Sequence, residues 1–291
     1  MRKKVVMLSL TCSSLFLQSC VSDLKKNPSV IQFEGSKARI EPVAVQQTND
    51  VLNYDFQNKQ HKLEWFTCKP QEQNGQQGLR YFMLLNRDDA GLNDQGFCRG
   101  WIAQVFLTKG FGVVGVNRPG FGKSTGKSDL GGEHSRQALR ALLKHTENIS
   151  YQGIWAVNSA TIAASIVARQ ADRFQVIVLG NGIYDVELAH STTKDPSLKE
   201  EIDQIISQEG DLAYERRSIA WDFGGLPSRV FLYHGELNDQ VGVGQASDFR
   251  ENLAASEYQA ELMILSQQGA SLSDQVHLGV LDKVASKISE K

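Results

Sequence analysis

The sequence lacks the residue patterns of a metal- or nucleotide-dependent enzyme. Its 291 residues contain no His-Glu-x-x-His and no paired Cys-x-x-Cys, and no phosphate-binding loop is complete. Gly122-Lys123-Ser124 and Gly126-Lys127-Ser128 end as such loops do, but the earlier glycine is replaced by Asn117 and Phe121. No metal or nucleotide cofactor is therefore expected. Charge of one sign is also lacking: 31 Lys and Arg stand against 33 Asp and Glu, a formal net charge of -2. No polybasic patch forms, so neither nucleic acid nor an anionic lipid surface has an electrostatic claim on the chain. There is no internal repeat. The apolar stretch Val5 to Leu17 is too short to span a bilayer.

What that stretch does offer is an export signal. Arg2, Lys3 and Lys4 precede it, and residues 1–19 read as a removable leader. The leader carries three positive charges and no negative ones, so its loss takes the formal net charge from -2 to -5. Leu17-Gln18-Ser19-Cys20 resembles the lipobox of bacterial lipoproteins, which implies lipidation at Cys20 and attachment to a membrane. Val21 in place of aspartate resembles lipoproteins passed on to the outer membrane, facing the periplasm in a Gram-negative source. Ordinary secretory cleavage beside an incidental cysteine is the alternative. Residues 20–37 are mostly polar and read as a tether. In an oxidising compartment Cys68 and Cys98 are either a disulfide or two buried thiols, and spacing does not choose between them.

From Ala38 onward the pattern suits one α/β domain over residues 38–291. Strands are expected at Ala38 to Val45, Lys62 to Cys68 and Leu79 to Leu85. Alternation then sets in: a helical stripe at Trp101 to Phe106, a strand at Val113 to Val116, a helix around Leu139 to Leu143, and a strand at Ile154 to Val157. A helix at Ile162 to Arg169, strands at Val176 to Leu179, Val230 to Tyr233 and Leu262 to Leu265, and a last helix through Ile288 complete it. Such alternation implies a mainly parallel sheet with helices on both faces. Residues 183–226 interrupt it as a small helical insertion. Asp195 and Pro196 start a helix there whose apolar face holds Leu198, Ile202, Ile205 and Ile206. The insertion is either a lid over a site or a helix packed at the sheet edge.

Three residues follow apolar runs at the expected carboxyl ends of parallel strands: Ser159 after Ile154 to Val157, Asp239 after Val230 to Tyr233, and His277 after Leu262 to Leu265. A hydroxyl, a carboxylate and an imidazole in that order suit acyl transfer, with His277 as base and Asp239 orienting it. Gly112 to Ser124 resembles the strand and Asp-x-x-Gly-x-Gly-x-Ser turn of the α/β-hydrolase superfamily, with Asn117 in the aspartate's place. His234-Gly235-Glu236-Leu237-Asn238-Asp239-Gln240-Val241 resembles that family's acid loop, with Glu236 a rival to Asp239. The resemblance implies an α/β-hydrolase fold, a nucleophile at Ser159, and an oxyanion hole made by the backbone amides of Ala160 and Asp88. The segment Arg216 to Val241 is also similar to the end of prolyl-oligopeptidase-type catalytic domains.

The elbow departs from the family. Where Gly-x-Ser-x-Gly is expected, the chain reads Val157-Asn158-Ser159-Ala160-Thr161, and two β-branched residues would crowd the turn. Two readings follow. One is a lipid-anchored serine hydrolase, esterase or peptidase, that cleaves a small ester or peptide through an acyl-enzyme on Ser159. The other is a catalytically silent binding lipoprotein that keeps the hydrolase scaffold.

Overall fold

The computed structural model describes residues 41–71, 78–87, 91–93 and 96–289. The leader, Cys20, the tether up to residue 37 and Asp88 lie outside the described residues.

One eight-stranded sheet organises the chain, in the order β1-β2-β4-β3-β5-β6-β7-β8. β1 (Val45–Phe56) and β2 (Lys59–Pro70) form an antiparallel hairpin, and β2 runs antiparallel to β4 (Gly112–Val116). The remaining pairs are parallel: β4 with β3 (Arg80–Leu85), β3 with β5 (Ser150–Val157), and then β6 (Val176–Gly180), β7 (Arg229–Gly235) and β8 (Gln259–Leu265). This is the α/β-hydrolase fold.

β1 begins at Val45, where the expected strand Ala38 to Val45 ends. Its sequence, Val-Gln-Gln-Thr-Asn-Asp-Val-Leu-Asn-Tyr-Asp-Phe, is mostly polar because the strand is an exposed edge, and so it offers little apolar signal. Pairing with β2 is set by the turn: Gln57 and Asn58 both have positive φ, 49° and 60°, as a two-residue hairpin requires.

The central strands are buried on both sides, and alternate side chains feed two cores. From β5, Ile154 and Ala156 join the core beneath α2 (Glu133–His145), α3 (Ala160–Ala171) and α7 (Val243–Ala255). Trp155 and Val157 join the opposite core, beneath α1 (Trp101–Leu107) and α8 (Asp274–Ser289). Cys68 and Cys98 are disulfide-bonded in this second core, with Cα atoms 5.5 Å apart.

Between β6 and β7 the insertion folds as α4 (Val186–Thr192), α5 (Pro196–Glu209) and α6 (Leu212–Arg217). Asp195 caps α5 by accepting from Ser197 N at 2.8 Å and Leu198 N at 3.4 Å, and Gly210, at φ 65°, ends it. Ile202, Ile205 and Ala213 are buried in the core beside α3, so the insertion is packed into the body of the domain. Its other edge reaches the carboxyl ends of the strands.

Candidate functional site

At those carboxyl ends lies a cavity of about 420 Å³. Its walls come from the turn after β4 (Phe121, Ser128), the β5–α3 junction (Asn158, Ser159), the residues after β6 (Asn181, Ile183) and the start of α5 (Asp195, Ser197, Leu198, Glu201). The loop after β7 adds Asn238, Gln240 and Val241, and the loop after β8 adds Ala270 and Ser271. Of the expected triad only Ser159 is there.

The junction explains why. Asn158 is the residue with positive φ, at 51°, between the end of β5 and the start of α3. Ser159 has already turned helical, with φ -63° and ψ -26°. In a strand-to-helix nucleophile elbow the strained residue is the one presented to the site, so Asn158, not Ser159, holds that position. Asparagine tolerates the left-handed region better than most residues. Ala156 and Ala160 then stand two before and two after, where the family pattern has glycine, and both are fully buried. The crowding expected from Val157 and Thr161 does not arise. Thr161 instead fastens the turn: its hydroxyl donates to Asn158 O at 2.6 Å and accepts from Ile183 N at 3.1 Å.

Ser159 Oγ accepts from Arg118 Nη1 at 3.3 Å. Arg118, buried at the end of β4, also donates to Asn86 Oδ1 through its backbone N at 2.8 Å. With Asn158 at the elbow, the amide that follows it belongs to Ser159, so Ala160 is displaced by one residue from the oxyanion-hole place expected for it.

His277 sits elsewhere. It lies in the first turn of α8, only 3 % exposed, in the core on the far face of the sheet from α3. Its Nδ1 is 2.9 Å from the Tyr233 hydroxyl, and that hydroxyl accepts from Trp155 Nε1 at 2.9 Å. Trp101 stacks on the ring and Trp155 meets it edge-on. Burial, and secondarily the Arg87 guanidinium, pushes the imidazole down to about 4. A catalytic base works best poised near the operating pH, so this one is mistuned as well as misplaced. No hydrogen bond joins it to Ser159 or Asp239 among the described residues.

The acid loop presents a different residue from the one expected. Asn238 is buried and lines the cavity, and its Oδ1 accepts from Gln240 N at 3.0 Å and Val241 N at 3.1 Å. Asp239, the next residue, is exposed and does not line the cavity. Glu236 is exposed too. His234 anchors the loop from below, donating from Nε2 to Val241 O at 2.7 Å. After β8, Asn181 holds the loop by donating to Gly269 O at 3.1 Å and Ala270 O at 2.8 Å, while its Oδ1 accepts from Gly235 N at 2.8 Å. Ala270 and Ser271 are what that loop turns toward the cavity. No histidine lines the cavity among the described residues.

The expected triad is thus corrected. Ser159 is at the cavity but one residue past the elbow, Asp239 faces solvent, and His277 is in the opposite core. The residues that the fold gathers instead are Asn158, Asn181, Asn238, Gln240 and Ser271. One signal for Asn158 was present in the sequence: the small residues Ala156 and Ala160 are symmetric about it, not about Ser159. Among the described residues no cluster of His, Cys, Asp and Glu could hold a metal ion.

Comparison with known proteins agrees with the fold. Residues 160–277 match the model of the prolyl oligopeptidase family. A Pyrococcus horikoshii acylaminoacyl peptidase superposes with a TM-score of 0.63 at 14% identity, over 87% of this chain and 42% of its own. A puromycin-hydrolyzing peptidase of Mycobacterium tuberculosis gives 0.63 at 17% identity, over 83% and 38%. A Pyrococcus furiosus esterase gives 0.57 at 14% identity, over 84% and 91%. This chain therefore spans about two fifths of the length of those peptidases but most of the length of the esterase. No curated protein matches the sequence. Sheet order and structural likeness together show that this chain has the α/β-hydrolase fold, and residues 160–277 within it resemble the prolyl oligopeptidase family.

Proposed function

We propose that this protein binds a small ligand in the crevice at the carboxyl ends of the strands and does not cleave it. The observation that carries this reading is the elbow: its presented side chain is the carboxamide of Asn158, which has no nucleophilic oxygen or sulfur to activate. Acyl transfer needs a nucleophile, a base in reach and an orienting group for that base. Here the three corresponding places hold Asn158, the Ala270-Ser271 turn and Asn238.

A second reading, a serine hydrolase acting through Ser159 on an ester or amide, is favoured by two observations: the prolyl oligopeptidase match and the presence of the Ser159 hydroxyl at the cavity beside Arg118. It would need a base other than His277. Fluorophosphonate labelling separates the two. The binding reading expects an unmodified Ser159 in the folded protein, and an adduct there supports the hydrolase.

For location we propose export and attachment through a lipidated Cys20, at an outer membrane facing the periplasm in a Gram-negative source. The leader and Leu17-Gln18-Ser19-Cys20 support it, as does the Cys68–Cys98 bridge, which persists in oxidising compartments. No described helix is long and apolar enough to cross a membrane.

A further inference from the structure

The charged groups around the cavity are engaged within the protein, while neutral hydrogen-bonding groups are left open. Asp195 caps α5 through Oδ1, and its Oδ2 accepts from Gln240 Nε2. Glu201 accepts from the Ser128 hydroxyl at 3.2 Å. Arg118, 1% exposed, donates to Asn86 and Ser159. The side chains of Asn181 and Asn238 are taken up in holding the loops after β7 and β8.

By contrast the carboxamide of Asn158 and the hydroxyls of Ser197 and Ser271 make no hydrogen bond with the described residues, and all three line the cavity. The same lining includes the apolar Ile183, Leu198 and Val241, with Phe121 at the turn after β4. These open groups carry no charge and so suit an uncharged ligand, while an anion would also meet the Asp195 and Glu201 carboxylates of the lining. A ligand of alternating donors and acceptors would find partners for each. The cavity, about 420 Å³, has the volume of a small-molecule site.

We propose that this cavity takes an uncharged, hydroxyl-rich ligand carrying an amide, in chemical class an acetamido sugar. The Asn158 carboxamide, donor and acceptor in one plane, pairs with the ligand amide, and the acetyl methyl lies against the apolar wall. Ser197 and Ser271 meet hydroxyls. This assignment rests on the reading that the site binds without cleaving.

The test is a calorimetric titration of the full chain with N-acetylglucosamine, glucosamine as the cationic probe and glucuronate as the anionic one. N-acetylglucosamine is expected to bind saturably, at least about tenfold tighter than either charged sugar. Asn158→Gly should keep its melting temperature, because glycine suits a φ of 51° and the carboxamide has no described partner to lose, yet weaken N-acetylglucosamine by about tenfold. Ser271→Ala, at an exposed position, repeats the test without touching the elbow and should weaken the same probe. Equal or tighter binding of a charged sugar, undiminished binding by both variants, or no N-acetylglucosamine binding by folded wild type would overturn the assignment. A fluorophosphonate adduct on Ser159 would sink the binding-only reading itself. An unlabelled protein that ignores N-acetylglucosamine sinks only the ligand class.

Discussion

Single residues decide the chemistry here, and the asparagines do so most often. Asn158 sits at the elbow, Asn238 turns the loop after β7, and Asn117 stands where the family turn has aspartate. The last of these has a local cause. Asn117 Nδ2 donates to Glu64 Oε2 at 2.8 Å, and Glu64, 2% exposed, also accepts from Lys123 N at 2.7 Å. An aspartate at 117 would set two carboxylates together in a buried site and remove the donor. Asn117→Asp should therefore lower stability by about 2 to 4 kcal/mol at neutral pH. Urea melts would measure it, and an unchanged midpoint would refute this account of the substitution. Sequence reading found Asn117 as a departure but not Glu64 as its reason, because the two meet only through strand pairing across β2 and β4. Ser159 stands out in the sequence because hydroxyls carry hydrolase chemistry, whereas the residue at the elbow is identified by backbone conformation.

Elements were far more legible than side-chain encounters. Apolar runs locate β3 through β7 within a few residues because those strands are buried on both faces, β8 keeps an apolar run although it is an edge strand, and Asp195-Pro196 and Gly210 bound α5. The edge strand β1 starts only at Val45, at the end of the expected Ala38 to Val45, because an exposed strand needs little apolar surface. His277 follows the apolar run Leu262 to Leu265 in sequence, but α8 begins at Asp274 and draws it into the core. Topology brought strand ends together as expected, but not which side chain each loop turns inward. At this scale the Cys68–Cys98 bridge ties β2 to the turn that enters α1. Replacing both cysteines with alanine should cost about 2 to 4 kcal/mol, read as a lower denaturation midpoint that reductant no longer shifts. A double variant as stable as wild type under oxidising conditions would contradict a structural role.

Over the whole molecule, buried histidines set the response to acid. His234 and His277 are both pushed from 6.5 down to about 4, each chiefly by burial. His134 is shifted downward as well, by burial and then by His61. A histidine depressed in the folded state binds its proton more readily when unfolded, so stability rises with pH across the interval between the two values. The contribution is fully present above about 6.5 and lost as pH falls toward about 4. For His234 and His277 the loss is about 3 kcal/mol each at the lower end of that window. Urea melts at stepped pH should show it, with the His277→Gln variant less steep than wild type. A profile flat between pH 6.5 and 4 would mean that these imidazoles are not held neutral by burial.

As a whole the molecule is an α/β-hydrolase fold whose crevice gathers carboxamides and hydroxyls, while the expected base His277 is sequestered across the sheet. Intact-mass analysis of the folded protein after fluorophosphonate treatment, beside a serine hydrolase labelled to completion, tests this most directly. An unchanged mass is the predicted result. A single adduct that maps to Ser159 and disappears in Ser159→Ala would contradict it.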